Sequence, residues 1–187
     1  KIQRKRAKNL NESHINMIDF DINNKEYVYF PLHYEHERST NPDGGDFHDQ
    51  FKAIQCLRNL IPENIDIIIK EHPSQFLVKG RGSRGRSPLF YRLLKNINGL
   101  KIVDMDTNSI ELTKNALFIA TITGTAALEA SILGKKALTF GSTWFPNCPN
   151  VISWNKNLLF KDIVEMEIKK VEDIKSYLIN HQKNNSV

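Results

Sequence analysis

The segment IIIKEHPSQF, Ile67 to Phe76, runs three β-branched apolar residues straight into Lys70, Glu71, His72 and Pro73. An imidazole at a strand end can donate a hydrogen bond to a phosphate oxygen or to a leaving group. Pro73 confines the backbone of His72 to extended geometry and so fixes where that side chain starts. Lys70 and Glu71 alternate to opposite sides, and either can support the histidine. A second stretch, TITGTAALEA from Thr121 to Ala130, reads as a strand end, a turn at Gly124 and a helix starting near Thr125. Such a turn aims the free N–H groups of the first helical turn, and the positive end of the dipole, at an anion. Thr123 and Thr125 add hydroxyl donors for a phosphate. Glu129, about one turn on, suits two vicinal ribose hydroxyls. The competing reading makes Thr125 a plain N-cap, Glu129 a solvated helix charge and His72 a structural strand tip. Spacing alone leaves both open.

Three further groups carry weaker signals. Gly44, Gly45 and Asp46 precede a helix and offer close backbone approach to a ligand, or simply a loop with an Asp cap. The arginines of KGRGSRGRSP, Arg86 among them, can close over a phosphate or an anionic glycan. His33, His36 and His48 lie among Glu35, Glu37 and Asp46, but their spacing falls in a loop without a helix to fix it. No metal site is expected there. Neither GxGxxG nor GxxxxGK[ST] occurs, so dinucleotide and P-loop readings find no support.

These residues need a frame that brings them to one edge, and the hydrophobic pattern supplies it. YVYFPL is a short β-rich run. HDQFKAIQCLRNLI places Phe51, Ile54, Leu57 and Ile61 at helical spacing. NIDIIIK is a second strand, and Pro88 opens a helix that carries Leu89, Phe90, Leu93, Leu94 and Ile97 on one face. LKIVD, SIELTKNA, ALFIATI, TAALEASILG and KALTF continue the alternation of strand and helix, with Gly134 closing the fourth helix. VISW is an expected edge strand, and Val171, Ile174, Tyr177 and Leu178 mark a last helix. Strand and helix alternating this way predict an α/β fold, a Rossmann-like doubly wound parallel sheet. Its strands are near-continuous apolar runs, as strands covered on both faces should be. In such sheets ligands bind beyond the carboxyl ends of the strands. The unusual residues all fall there, whereas the opposite ends carry plain connectors such as PEN and LGKK.

Composition narrows the class. The 187 residues are 40% hydrophobic and 25% charged, which suits one soluble globular domain. Much of the net charge of +5 sits in the opening KIQRKRAK, expected as a solvated tail or linker. No apolar run approaches the ~20 residues needed to span a bilayer, and the opening residues lack a signal peptide's apolar core. Cys56 and Cys148 are expected as two reduced thiols of a cytoplasmic protein. The start at Lys1 hints at part of a longer polypeptide. The expected division is a basic linker or interdomain segment over 1–25, a nucleotide-sugar-binding domain over 26–160 and a helical segment over 161–187.

The stretches YFPLHYEHERSTNPDGGDFHDQ, KEHPSQF, GRSPLFY, ATITGTAALEASILGKKALTFGSTWF and CPNV together resemble the C-terminal half of the capsular and surface polysaccharide biosynthesis glycosyltransferases. That group includes the retaining Kdo transferases of bacterial capsule assembly. The resemblance covers about Tyr27 to Val151. It implies one domain of a GT-B enzyme, two Rossmann-like domains facing across a cleft, with the nucleotide-sugar held by this half. It further implies His72 on the donor phosphate, as the catalytic residue, with Thr123, Gly124 and Thr125 along the phosphate and nucleotide. Glu129 would bind ribose. Lys70, Gly44, Gly45, Asp46 and Arg86 complete the expected substrate-binding set. The implied partners are a nucleotide-sugar donor (a CMP-sugar such as CMP-Kdo favoured), a glycan or glycolipid acceptor and a missing N-terminal acceptor domain. No cofactor is expected, and the place of action is cytoplasmic, or peripheral at the inner membrane. One rival is a UDP-sugar epimerase of the same architecture. The other is a basic α/β module on nucleic acid; the lack of aromatics inside either basic run counts against it, and no nucleic acid is expected.

Overall fold

The computed structural model describes residues 2–19, 25–35, 41–77 and 82–184. Its centre is a six-stranded sheet of β1 (Tyr27–Pro31), β2 (Asp66–Lys70), β3 (Leu100–Val103), β4 (Ile119–Thr121), β5 (Ala137–Thr139) and β6 (Val151–Ser153). The order across the sheet is β3-β2-β1-β4-β5-β6. Every pairing is parallel. The chain winds outward from β1 to β3, then returns to the other side of β1 with β4. The switch point therefore lies between β1 and β4, where the carboxyl ends diverge to leave a crevice.

Period-two alternation divides the apolar strand residues between two cores. Val28, Phe30, Ile67, Ile69, Ala120 and Leu138 face one side, where α2 (Gln50–Leu60), α4 (Pro88–Lys95) and α7 (Phe160–Val164) cover them with Ile54, Leu57, Tyr91, Leu94 and Ile163. Tyr27, Tyr29, Ile68, Ile119 and Ala137 face the other, beneath α5 (Ser109–Asn115), α6 (Ala126–Ile132) and α8 (Val171–Asn184). Helix ends follow local chemistry. The Asp49 side chain accepts from Phe51 N–H at the start of α2, and Asn108 accepts from Ile110 and Glu111 at the start of α5. Gly134 ends α6 in the left-handed region at φ 72°, with Lys135 N–H returning to Ala130 O.

The basic opening, expected as a solvated linker, is instead a helix, α1 (Ile2–Ile15). It presents charge outward and buries Ala7, Leu10 and His14, packing against α4 and the one-turn helix α3 (Gly82–Gly85). Beyond it, Asp19 N–H donates to Ile102 O and Ile18 bridges Ile102, so this segment covers the open edge of β3. Both cysteines are free thiols, as expected. No helix among the described residues is long and apolar enough to cross a membrane.

Candidate functional site

A cavity of about 330 Å³ opens at the switch point. Leu32, His33 and Tyr34 enter it from the end of β1, His72 from beyond β2, and Thr121, Thr123, Gly124 and Thr125 from the end of β4. Trp144, from the loop after β5, forms its far wall. Four residues expected from the sequence, His72, Thr123, Gly124 and Thr125, are thus brought together although they come from strands separated by β1.

A backbone amide is directed at one ring nitrogen of each histidine. His72 caps a 3-10 turn at Pro73–Phe76, and its Nδ1 accepts from Ser74 N–H at 3.1 Å. With Nδ1 accepting, Nε2 is the donor nitrogen of that ring. His33 mirrors this arrangement: its Nε2 accepts from Thr123 N–H at 3.5 Å and lies 2.9 Å from the Thr121 hydroxyl. Its ring proton is then on Nδ1. Burial, with help from the Arg86 charge, pushes the His33 pKa down to about 4. His33 is thus a neutral imidazole over the whole physiological range. Gly124 keeps the two parts close, since a Cβ there would stand 2.8 Å from Thr121 Oγ1 and 3.1 Å from the His33 ring.

A buried network braces the two histidine-bearing loops. Gln50 of α2 clamps the His33 backbone, accepting from its N–H at 2.8 Å and donating to its carbonyl at 3.1 Å. Glu71, fully buried, accepts from His72 N–H at 2.8 Å and from the Tyr91 hydroxyl at 2.5 Å. Arg86 joins the loops: its Nη2 donates to His33 O at 2.7 Å, while its Nε lies 3.2 Å from Glu71 Oε2. Gly82 and Gly85 let this segment press close, because a Cβ on either would collide with the backbone of Gln75 or with Glu35.

Arg86 therefore does not line the switch-point cavity as a substrate contact. Its side chain is 1% exposed and serves as counterion to a buried carboxylate. Lys70 is also away from the cavity lining, its ammonium donating to Thr107 O at 2.6 Å and to the Ser109 hydroxyl at 2.7 Å. Glu129 is exposed on α6, accepting from the Thr125 hydroxyl at 3.2 Å. Gly44, Gly45 and Asp46 line a neighbouring cavity of about 500 Å³ beyond β5 and β6. The two cavities adjoin where Gly141 packs against Asp43 O and the Thr123 methyl. Glu35 and His48 line a third cavity of about 290 Å³, beside Arg86. His36 and Glu37, and part of the arginine-rich loop, lie outside the described residues. Among the described residues, no group of three metal-ligating side chains forms. Two participants escaped the sequence reading. The sequence marks His33 only as a metal candidate and Trp144 not at all, because their partners are 88 residues away in one case and on α8 in the other.

An open parallel sheet with a crevice at its switch point and helices on both faces defines a Rossmann-like α/β domain. More narrowly, the chain belongs to the capsule polysaccharide biosynthesis protein family, whose sequence model matches residues 2–159. The fold is shared with "Thermosulfurimonas dismutans KpsC, beta Kdo 2,7 transferase" at 15% identity and TM-score 0.57, covering 95% of this chain and 52% of that one. A second structure, "Thermosulfurimonas dismutans KpsC, beta Kdo 2,4 transferase", matches at 14% identity and TM-score 0.53, covering 94% and 54%. The chain spans about half the length of each. No curated protein matches significantly in sequence.

Proposed function

We propose that this chain is the nucleotide-sugar-binding half of a glycosyltransferase of capsule or surface polysaccharide synthesis, and that the switch-point cavity takes the donor's phosphate. The observation that carries this reading is the pair of imidazoles at the mouth of one cavity, each with a backbone amide directed at one ring nitrogen. Family membership and the fold shared with two Kdo transferases support it. CMP-Kdo is the favoured donor on that likeness.

In the transfer step, the bond between the sugar's anomeric carbon and the phosphate oxygen breaks, and negative charge grows on the departing nucleotide. His72 Nε2–H and His33 Nδ1–H are preorganised to meet that charge. The helix dipole of α6 adds little, because the helix has only 7 residues. Glu129 takes the ribose hydroxyls on the flank of the site. The acceptor, a glycan or glycolipid, approaches from a facing domain, and the enzyme works in the cytoplasm or at the inner membrane surface.

Calorimetric titration with CMP, UDP and GDP tests the reading. One nucleotide should bind, and His72→Ala should weaken it by about 10- to 150-fold, the worth of a hydrogen bond to a charged group. Glu129→Ala should weaken the same nucleotide, with the melting temperature nearly unchanged. Binding of all three that is indifferent to both substitutions would refute the assignment.

A further inference from the structure

The chain's positive charge is gathered on one side of the molecule. Along α1, α3 and α4 stand seven basic side chains, all exposed, Lys5, Lys8 and Arg92 among them. The same helices hold one carboxylate, Glu12, which pairs with Lys8 at 3.7 Å. They thus carry more positive charge than the net +5 of the whole chain, and the remaining residues together are close to neutral. α1 packs against α4. Leu10 of the one and Tyr91 and Leu94 of the other belong to the same core, so the outer sides of both helices look the same way. At 3.6 residues per turn, inward Ala7, Leu10 and His14 turn Lys5, Asn9 and Glu12 outward on α1. Inward Tyr91 and Leu94 likewise turn Leu89, Arg92 and Leu93 outward on α4. Apolar side chains stand among these cations. Ile2, Ile15 and Leu89 are more than half exposed, and Leu93 is exposed too.

A face that is both cationic and aliphatic suits few partners. A nucleic acid strand asks for rings to stack on, and the exposed large apolar side chains of these helices are all aliphatic. A soluble anionic glycan offers charge but nothing for those side chains to enter. A polypeptide buries an interface core depleted of lysine, whereas Lys5 stands directly opposite the buried residues of α1. An anionic bilayer asks for what is present: cations at the level of the phosphates and aliphatic side chains reaching just below them. We infer that the outer face of α1 and α4 docks on a membrane surface rich in anionic phospholipid. Leu89, Leu93, Ile2 and Ile15 enter the acyl boundary, and the lysines and arginines hold the headgroup phosphates. The inner side of α1 reaches the site, since the His14 ring packs 5.1 Å from Phe76 in the turn that His72 caps. A glycolipid acceptor in that bilayer is thereby presented on the side of the molecule that carries His72. Only this last consequence rests on the donor-binding reading; the docking does not.

Cosedimentation with vesicles tests the surface. The chain should bind vesicles of phosphatidylglycerol mixed with phosphatidylcholine and leave vesicles of phosphatidylcholine alone. Lys5→Gln and Arg92→Gln, one from each helix, should together weaken binding by roughly 30-fold, the product of two cations near an anionic membrane. Lys156→Gln with Lys161→Gln removes the same charge from exposed positions elsewhere and should cost far less. Leu89→Ser should weaken vesicle binding while leaving retention on dextran sulfate, a polyanion without acyl chains, unchanged. The substituted side chains are all exposed, so each variant should keep the melting temperature of the unsubstituted chain. Equal losses from the two charge pairs would mean diffuse attraction by a basic protein, and the proposed face is refuted. Indifference of vesicle binding to Leu89→Ser would overturn the bilayer in favour of a soluble polyanion. No vesicle binding at all refutes the docking, and a dimer in sedimentation that Leu89→Ser breaks would then give the face to a second copy. None of these results bears on the donor site, which nucleotide titration reads separately.

Discussion

At His33 and His72 a backbone amide occupies one ring nitrogen, and the proton that remains is the ring's only means of holding a ligand. That arrangement has a stability consequence. The folded pKa of His33, about 4, lies below the ordinary value of 6.5. Between those pH values the unfolded chain takes up a proton that the folded chain refuses, so stability falls as pH falls. The contribution is complete above pH 6.5 and is lost progressively down to pH 4, about 3 kcal/mol in all. Burial lowers the pKa of His14 too, which adds to the loss in the same direction. Urea midpoints measured from pH 7 to pH 4 should therefore decline less steeply in His33→Gln than in the unsubstituted chain. Equal slopes would show that His33 protonates freely in the folded state. The role of His72 could be framed from sequence because Pro73 and the strand before it are adjacent. Those of His33 and Arg86 could not, since Thr121, Glu71 and Tyr91 come to them only through the fold.

Among the elements, α1 shows best where hydropathy patterns lose their power. Its inward residues are only Ala7, Leu10 and His14, and apart from the exposed Ile2 and Ile15 the rest of the helix is polar, so the sequence reads as solvated charge. What holds it is tertiary: the His14 ring packs 5.1 Å from Phe76 and 5.5 Å from Tyr91, and Leu10 is 1% exposed. Leu10→Ala should destabilise the chain by about 2–5 kcal/mol in urea denaturation, the cost of emptying a packed site. A solvated linker would instead give a change within about 0.5 kcal/mol. Neither ring nitrogen of His14 finds a partner in the described residues, which adds a polar cost to this contact. By contrast, the strands and helices of the sheet were legible because their apolar runs, the Pro88 start and the Gly134 stop are local signals. The short helix α6 was legible for the same reason.

Across the whole molecule, two cores share one sheet, and neighbouring residues of each strand point into different ones. Loss of either core frees the strands that the other needs, so unfolding should be a single transition. The tryptophans report on opposite faces: Trp154 packs against the first core, and Trp144 stands beside Phe145 of the second. Urea transitions of single-tryptophan variants should coincide with each other and with far-ultraviolet circular dichroism. Separated midpoints would mean that the faces melt independently. The switch-point cavity has one more property at this scale. Although the chain carries a net charge of +5, no lysine or arginine among the described residues lines that cavity. The protein's field can draw an anion inward over a distance, and what the described lining offers it there is imidazole, hydroxyl and backbone N–H groups. Salt that screens ion pairs should loosen a grip made by these groups little, and on the proposed donor reading a spent nucleotide would leave them by breaking hydrogen bonds rather than ion pairs.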